Sequence, residues 1–157
     1  MVVNRQRRVP VAVPPLEKFL SDVKLSLRVE QDVSVSLVSD SAMARMNQTY
    51  RGKPGATDVL SFPLNGNAPR KKSPLLDPFA EENSAASYLG DIAIAPETAR
   101  RNARRLGRSL PLELRILILH GLLHLLGYDH EADRGEMHRM ERRLRRRLGL
   151  RRGQRLP

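Results

Sequence analysis

No cysteine occurs in the 157 residues. That absence removes disulfides, thiol nucleophiles, iron–sulfur clusters and every zinc site built with sulfur. Any metal must therefore take imidazole or carboxylate ligands. Tryptophan is also absent. Aromatic residues make up 4% of the chain, too few for a recognition surface built mainly on stacked rings. No apolar run reaches the about 20 residues a membrane span requires. The longest, around Ile116 to Leu126, is interrupted by His120 and His124. Met1-Val2-Val3-Asn4-Arg5 is not followed by a long apolar block, so no secretory signal is expected. The expected compartment is the cytoplasm.

Positive charge, in contrast, is abundant. Lysine and arginine number 28 against 17 acidic residues, a net +11. That balance points to a polyanionic partner, either nucleic acid or an anionic surface. Ten arginines lie between Arg134 and Arg155, facing only Glu136 and Glu141. Arg100, Arg101, Arg104 and Arg105 add a second cluster. Nucleic acid is the favoured partner, because each phosphate neutralised releases counterions. Such side chains position a backbone without reading bases.

The length suits one domain with an ordinary core. That domain is expected over residues 1–150, with a basic tail at 151–157. Pro15 to Leu27 carries apolar residues at helical spacing, and Asp32 to Ser39 alternates as a half-buried strand. Asp40 or Ser41 suits the cap of a helix bearing Met43, Met46 and Tyr50. Thr57 to Phe62 and Tyr88 to Ala95 read as strands around a long loop at 64–86, and a loop of that length is usually functional or disordered. Helices are expected from Pro96 to Leu106, Leu110 to Leu126 and Asp133 to Leu148. With a short first strand from Val2 to Arg7, the order is β, α, β, α, β, β, α, α, α. The fold class is therefore α+β, a small mixed, mostly four-stranded sheet with helices on one side. The strands flanking the long loop are expected to be antiparallel, and those separated by helices parallel.

The chemistry concentrates in His120-Gly121-Leu122-Leu123-His124-Leu125-Leu126-Gly127-Tyr128-Asp129-His130. Four helical residues turn about 400°, so His120 and His124 point the same way, one turn apart. Gly127 is free to end the helix in a left-handed conformation, so the chain can reverse and return His130 to the same ion. Three neutral histidines with one open position is a catalytic zinc geometry, and water bound there ionises near pH 7. One ion per chain is expected. The spacing H-x-x-x-H-x-x-G-x-x-H is shared with the metal-binding helix of the metzincin proteases. The protease motif places a general-base glutamate after the first histidine. Here that position is Gly121, which makes a zinc peptidase the runner-up. Asp129 adjoins His130 and is placed either to orient a ligand histidine or to cap the turn. His138 is expected to be solvated or to contact phosphate, and Met137 and Met140 to be core contacts. Asp58 and Asp91 are further carboxylates, for which pairing with arginine or backbone amides is the commoner role.

The same block resembles the signature H-G-x-L-H-L-x-G-Y-D-H of the YbeY-type endoribonucleases, the bacterial rRNA maturation factors. Every fixed position is met. A second block, Asn47-Gln48-Thr49-Tyr50-Arg51-Gly52-Lys53-Pro54-Gly55-Ala56-Thr57-Asp58-Val59-Leu60-Ser61-Phe62, resembles the family's N-x-x-Y-R-x-K-x-x-x-T-D-V-L-S-F. A third, Leu89-Gly90-Asp91-Ile92, resembles its L-G-D-I strand. Together they span about residues 40 to 140, in the family's order.

The resemblance implies a zinc-dependent, single-strand-specific endoribonuclease acting in 16S rRNA 3′-end maturation and ribosome quality control. It implies His120 as a required metal-binding histidine and Arg51 as a required arginine. On that basis zinc is expected on His120, His124 and His130. Catalysis is expected from His120 and Arg51, and substrate contact from Arg51, as a phosphate clamp, with Lys53. The expected partner is RNA, associated with the ribosome, with no membrane and no DNA. The other alternative is a non-catalytic ribosome-associated RNA-binding factor with structural zinc.

Overall fold

A computed structural model describes residues 1–64, 88–128 and 134–150. The elements follow the expected order: β1 (Val2–Asn4), α1 (Val13–Leu27), β2 (Asp32–Leu37), α2 (Asp40–Arg51), β3 (Val59–Pro63), β4 (Tyr88–Ile94), α3 (Pro96–Arg105), α4 (Leu110–Leu125) and α5 (Glu136–Arg147). The loop expected at 64–86 lies, apart from Leu64, outside the described residues, as does the tail at 151–157.

The four strands form one sheet in the order β1-β2-β4-β3. β1 with β2 and β2 with β4 are parallel, whereas β3 runs antiparallel to β4 at the edge. This is the expected mixed sheet: β1 and β2, joined through α1, are parallel as a crossover requires, and β3 and β4, which flank the long loop, are antiparallel. The expectation that strands separated by a helix run parallel is corrected for β3, which follows β2 through α2 but pairs antiparallel with β4, on the far side of β4 from β2, and so runs opposite to β2.

The helices, however, cover both faces. Ile92 and Ile94 of β4 join Val33 and Val35 of β2 in a core with Phe19 and Leu20 of α1 and Leu119 and Leu122 of α4. Leu60 and Phe62 of β3 and Ala93 of β4 turn the other way and pack with Met43, Met46 and Tyr50 of α2. The Tyr50 and Phe62 rings meet edge to face, centroids 5.1 Å apart. The expectation of helices on one side is corrected here. Ile92-Ala93-Ile94-Ala95 is apolar on consecutive positions and buried throughout, so both faces of β4 need cover.

Two serines set helix starts. Ser39, not Asp40 or Ser41, is the N-cap of α2, its Oγ accepting from the Ala42 amide at 3.2 Å. Ser109 does the same for α4 through Leu112, at 3.3 Å. Such caps satisfy amides that the first helical turn leaves without partners. Asp40 is instead free to bind α3, accepting from Thr98 Oγ1 at 2.8 Å and Arg101 Nη2 at 2.7 Å.

The α4 helix is apolar nearly all round and packs against α1, α3, α5, β3 and β4. A helix of that kind belongs in the interior. Each fully buried leucine or isoleucine contributes roughly 1.5–3 kcal/mol, so α4 is a rigid mount for whatever it carries.

Candidate metal centre

From Ile116 to Leu125 every residue of α4 is buried except His120 and His124. The two imidazoles are the only polar side chains that this stretch turns toward solvent. Their Nε2 atoms lie 3.1 Å apart, with ring centroids at 4.6 Å and planes inclined by 68°. Two nitrogens about 2.0–2.1 Å from one tetrahedral zinc stand about 3.3 Å apart, so this pair fits a shared ion.

The end of α4 is built as the sequence suggests. Gly127 takes φ +93°, a left-handed turn. Its amide donates to His124 O at 3.0 Å, and the Tyr128 amide donates to Leu123 O at 3.1 Å. This pair of reversed bonds is a Schellman stop, and it turns the chain sharply after the helix. His130 and Asp129 follow that turn and lie outside the described residues. Among the described residues no three histidine or carboxylate side chains are grouped to hold an ion.

A residue the sequence reading counted only as a charge proves central. Glu141 of α5 is buried, and its Oε2 lies 3.4 Å from His120 Nδ1. Its Oε1 accepts a hydrogen bond from Arg145 Nη2. A carboxylate beside Nδ1 stabilises the proton there, which leaves the Nε2 lone pair free for a metal. Burial alone would raise the Glu141 pKa. The hydrogen bond with His120 and the charges of Arg145 and His120 outweigh it and bring the group down to about 2. The spacing of Met137, Glu141 and Leu144, all buried along one face of α5, was the available signal.

Gly121 has a steric reason. A Cβ there would lie 2.8 Å from Ile92 Cγ2 on β4. On the same side, Ser61 Oγ of β3 donates to Gly121 O at 3.1 Å. The glutamate that a metzincin would carry here is therefore excluded by the approach of helix to sheet.

The other candidates are placed elsewhere. Arg51 is the last residue of α2 and Lys53 follows its Gly52 cap; both are exposed. Among the described residues neither bonds to His120 or His124, and α2 packs across the sheet from α4. The turn carrying them is fixed by Asn47, a buried residue whose Nδ2 donates to Gly55 O at 2.9 Å. Asp58 accepts from Asn102 Nδ2 at 3.3 Å and ties α3 to the start of β3. Asp91 is buried and accepts from the Tyr88 hydroxyl at 2.6 Å. Burial and the Asp91 carboxylate push the Tyr88 hydroxyl pKa upward. Met137 is fully buried and Met140 packs beside it, as expected of core contacts. His138 is exposed and accepts from Arg142 Nε at 3.3 Å.

Comparison with known proteins decides the family. The family model described as Endoribonuclease YbeY matches residues 4–149. The chain belongs to this family. A relative from Solibacter usitatus, named Endoribonuclease YbeY, is 37% identical over 92% of this chain and 86% of its own. One of the same name from Moorella thermoacetica is 42% identical, covering 84% of each chain. The solution structure of TM1509 from Thermotoga maritima matches with a TM-score of 0.59 and 26% identity, over 94% of this chain and 89% of that one. The four-stranded sheet and five helices of the described residues are thus a YbeY-like fold. Among the described residues no helix is long and apolar enough to cross a membrane.

Proposed function

We propose that this chain is a zinc-dependent endoribonuclease that cleaves single-stranded RNA phosphodiesters and matures the 3′ end of 16S rRNA on or near the ribosome, with a part in ribosome quality control. The carrying observation is the convergence of His120 and His124 Nε2 at 3.1 Å on a rigid helix, in a chain of the YbeY family. His130, delivered by the turn at Gly127, is proposed as the third ligand, with one ion per chain.

Bound zinc would supply Lewis-acid polarisation of a phosphoryl oxygen and acidify water. The protein groups do the rest. Glu141 keeps the His120 proton on Nδ1 and the ring in place. Arg51 and Lys53 are proposed to hold substrate phosphate, Arg51 offsetting charge that develops at the reacting group. β3 is an edge strand among the described residues, with α4 against one face and α2 against the other, so RNA crossing that edge would meet both helices.

The His120→Ala protein tests this reading. Metal content and RNA cleavage are expected to fall together. Full cleavage by metal-free His120→Ala would overturn it. A peptidase loses support because Ile92 fills the space its glutamate needs. Casein and RNA, each with and without chelator, separate the two activities. The non-catalytic alternative predicts that Arg51→Ala leaves salt-dependent RNA binding with no cleavage to lose.

A further inference from the structure

The α5 helix has two faces of opposite kind. Met137, Glu141 and Leu144 are buried inward. Arg139, Arg142, Arg143, Arg146 and Arg147 are exposed and line one surface groove of about 490 Å³. Arg145 is not among them, because it is committed to Glu141. Among the described residues none of the five forms an ion pair, and two bond only to partners that are not carboxylates, Arg134 O and His138 Nε2.

This face works against its own helix. Arg139 and Arg143, Arg142 and Arg146, and Arg143 and Arg147 are like charges at i, i+4, which repel. The helix dipole favours cations in the last turn, which accounts for Arg146 and Arg147 but not for Arg139, Arg142 or Arg143. A polyanion laid along the face would relieve the repulsion at all five. Guanidinium forks suit phosphate oxygens, and with no Phe, Tyr or Trp in α5 a backbone is recognised rather than bases.

We infer that the outward face of α5 is a docking surface for the phosphate backbone of single-stranded RNA, separate from the residues proposed to cleave it. The inference rests on the proposed function in naming RNA as the polyanion. RNA held there lies along the helix whose inner face supports His120 through Glu141, so capture and cleavage share one element.

The test uses the full chain carrying His120→Ala, so that a labelled single-stranded RNA stays intact during binding. Arg139, Arg142, Arg143, Arg146 and Arg147 are changed together to Gln, whose helix propensity is close to that of Arg. A control removes equal charge through Arg5, Arg7, Arg8, Arg28 and Arg45→Gln, exposed arginines outside both basic clusters. Without the α5 arginines, the slope of log affinity against log salt is expected to become shallower by about 0.7 for each arginine that meets a phosphate. The control is expected to change it much less. A milder Arg143→Gln/Arg147→Gln pair serves if the fivefold variant fails to fold, and shows the same direction. An unchanged slope, or an equal change in the control, overturns the surface. So does a fivefold variant that loses phosphatidylserine vesicles while keeping RNA. Cleavage by the wild-type chain is measured in parallel. RNA bound through α5 but never cleaved removes the endoribonuclease reading and upholds the surface. Cleavage with no α5 effect on the slope does the reverse.

Discussion

Gly121 of α4 and Ile92 of β4 touch so closely that a single added methyl would stand 2.8 Å from Ile92 Cγ2 and 3.0 Å from its Cδ1. The helix that bears the histidines is seated on the sheet at this point. Gly121→Ala is expected to destabilise the protein by about 1–3 kcal/mol through overpacking, although alanine is the better helix former. Ile92→Ala leaves space into which the methyl added by Gly121→Ala would fit. The double variant should therefore be more stable than the sum of the two single changes predicts. Denaturant unfolding of the four proteins measures this.

Glu141→Gln preserves size but removes the charge beside His120 Nδ1. If zinc is held as proposed, affinity should fall about 10- to 100-fold, as for other carboxylates that orient a ligand histidine. Chelator competition gives the value. Unchanged affinity would mean that Glu141 serves Arg145 and helix packing alone.

Acid should weaken the metal-free protein through the same residue. The Glu141 pKa is depressed in the fold, from 4.5 to about 2. A carboxylate with a depressed folded pKa adds stability that is complete above its unfolded value. That stability is lost as pH falls from about 4.5 toward about 2. Asp40 acts in the same direction. Burial raises its pKa, but hydrogen bonds from Arg101 and Thr98 and the Arg101 charge hold it below 3.8. Unfolding free energy should drop over this window, and the drop should be smaller in metal-free Glu141→Gln.

Glu113 lies in the first turn of α4, with 4% of its side chain exposed, and bonds Arg108 Nη1 at 2.8 Å. Arg108→Ala would strand this carboxylate in the interior, at an expected loss of about 3 kcal/mol or more. Replacing both residues with apolar ones should cost less, because no buried charge is left behind. Thermal melts of the single and double variants separate the two outcomes.

Much of the fold was legible because its signals are local. The period of Leu16, Phe19, Leu20 and Val23, the alternation of Val33, Val35 and Leu37, and Pro96 at the start of α3 each depend on neighbours along the chain. The histidine pair was legible for the same reason: one helical turn brings His120 over His124 whatever surrounds them. Ser39 displaced Asp40 as a cap because both residue types suit that position. Only the contact with α3 assigned them. The second covered face of the sheet was missed because an apolar run does not say what lies against each side.

Family, order of elements and paired imidazoles are all properties of residue type and short spacing, and the chain's letters carry them unaided. The partner of His120 is of another kind and came from the packing of distant elements. Glu141 stands 21 residues away on another helix, and packing Met137 and Leu144 into the core is what turns it inward. The same packing turned five arginines outward and set Gly121 against Ile92. Which side of a helix meets the core depends on all the elements that bury against it.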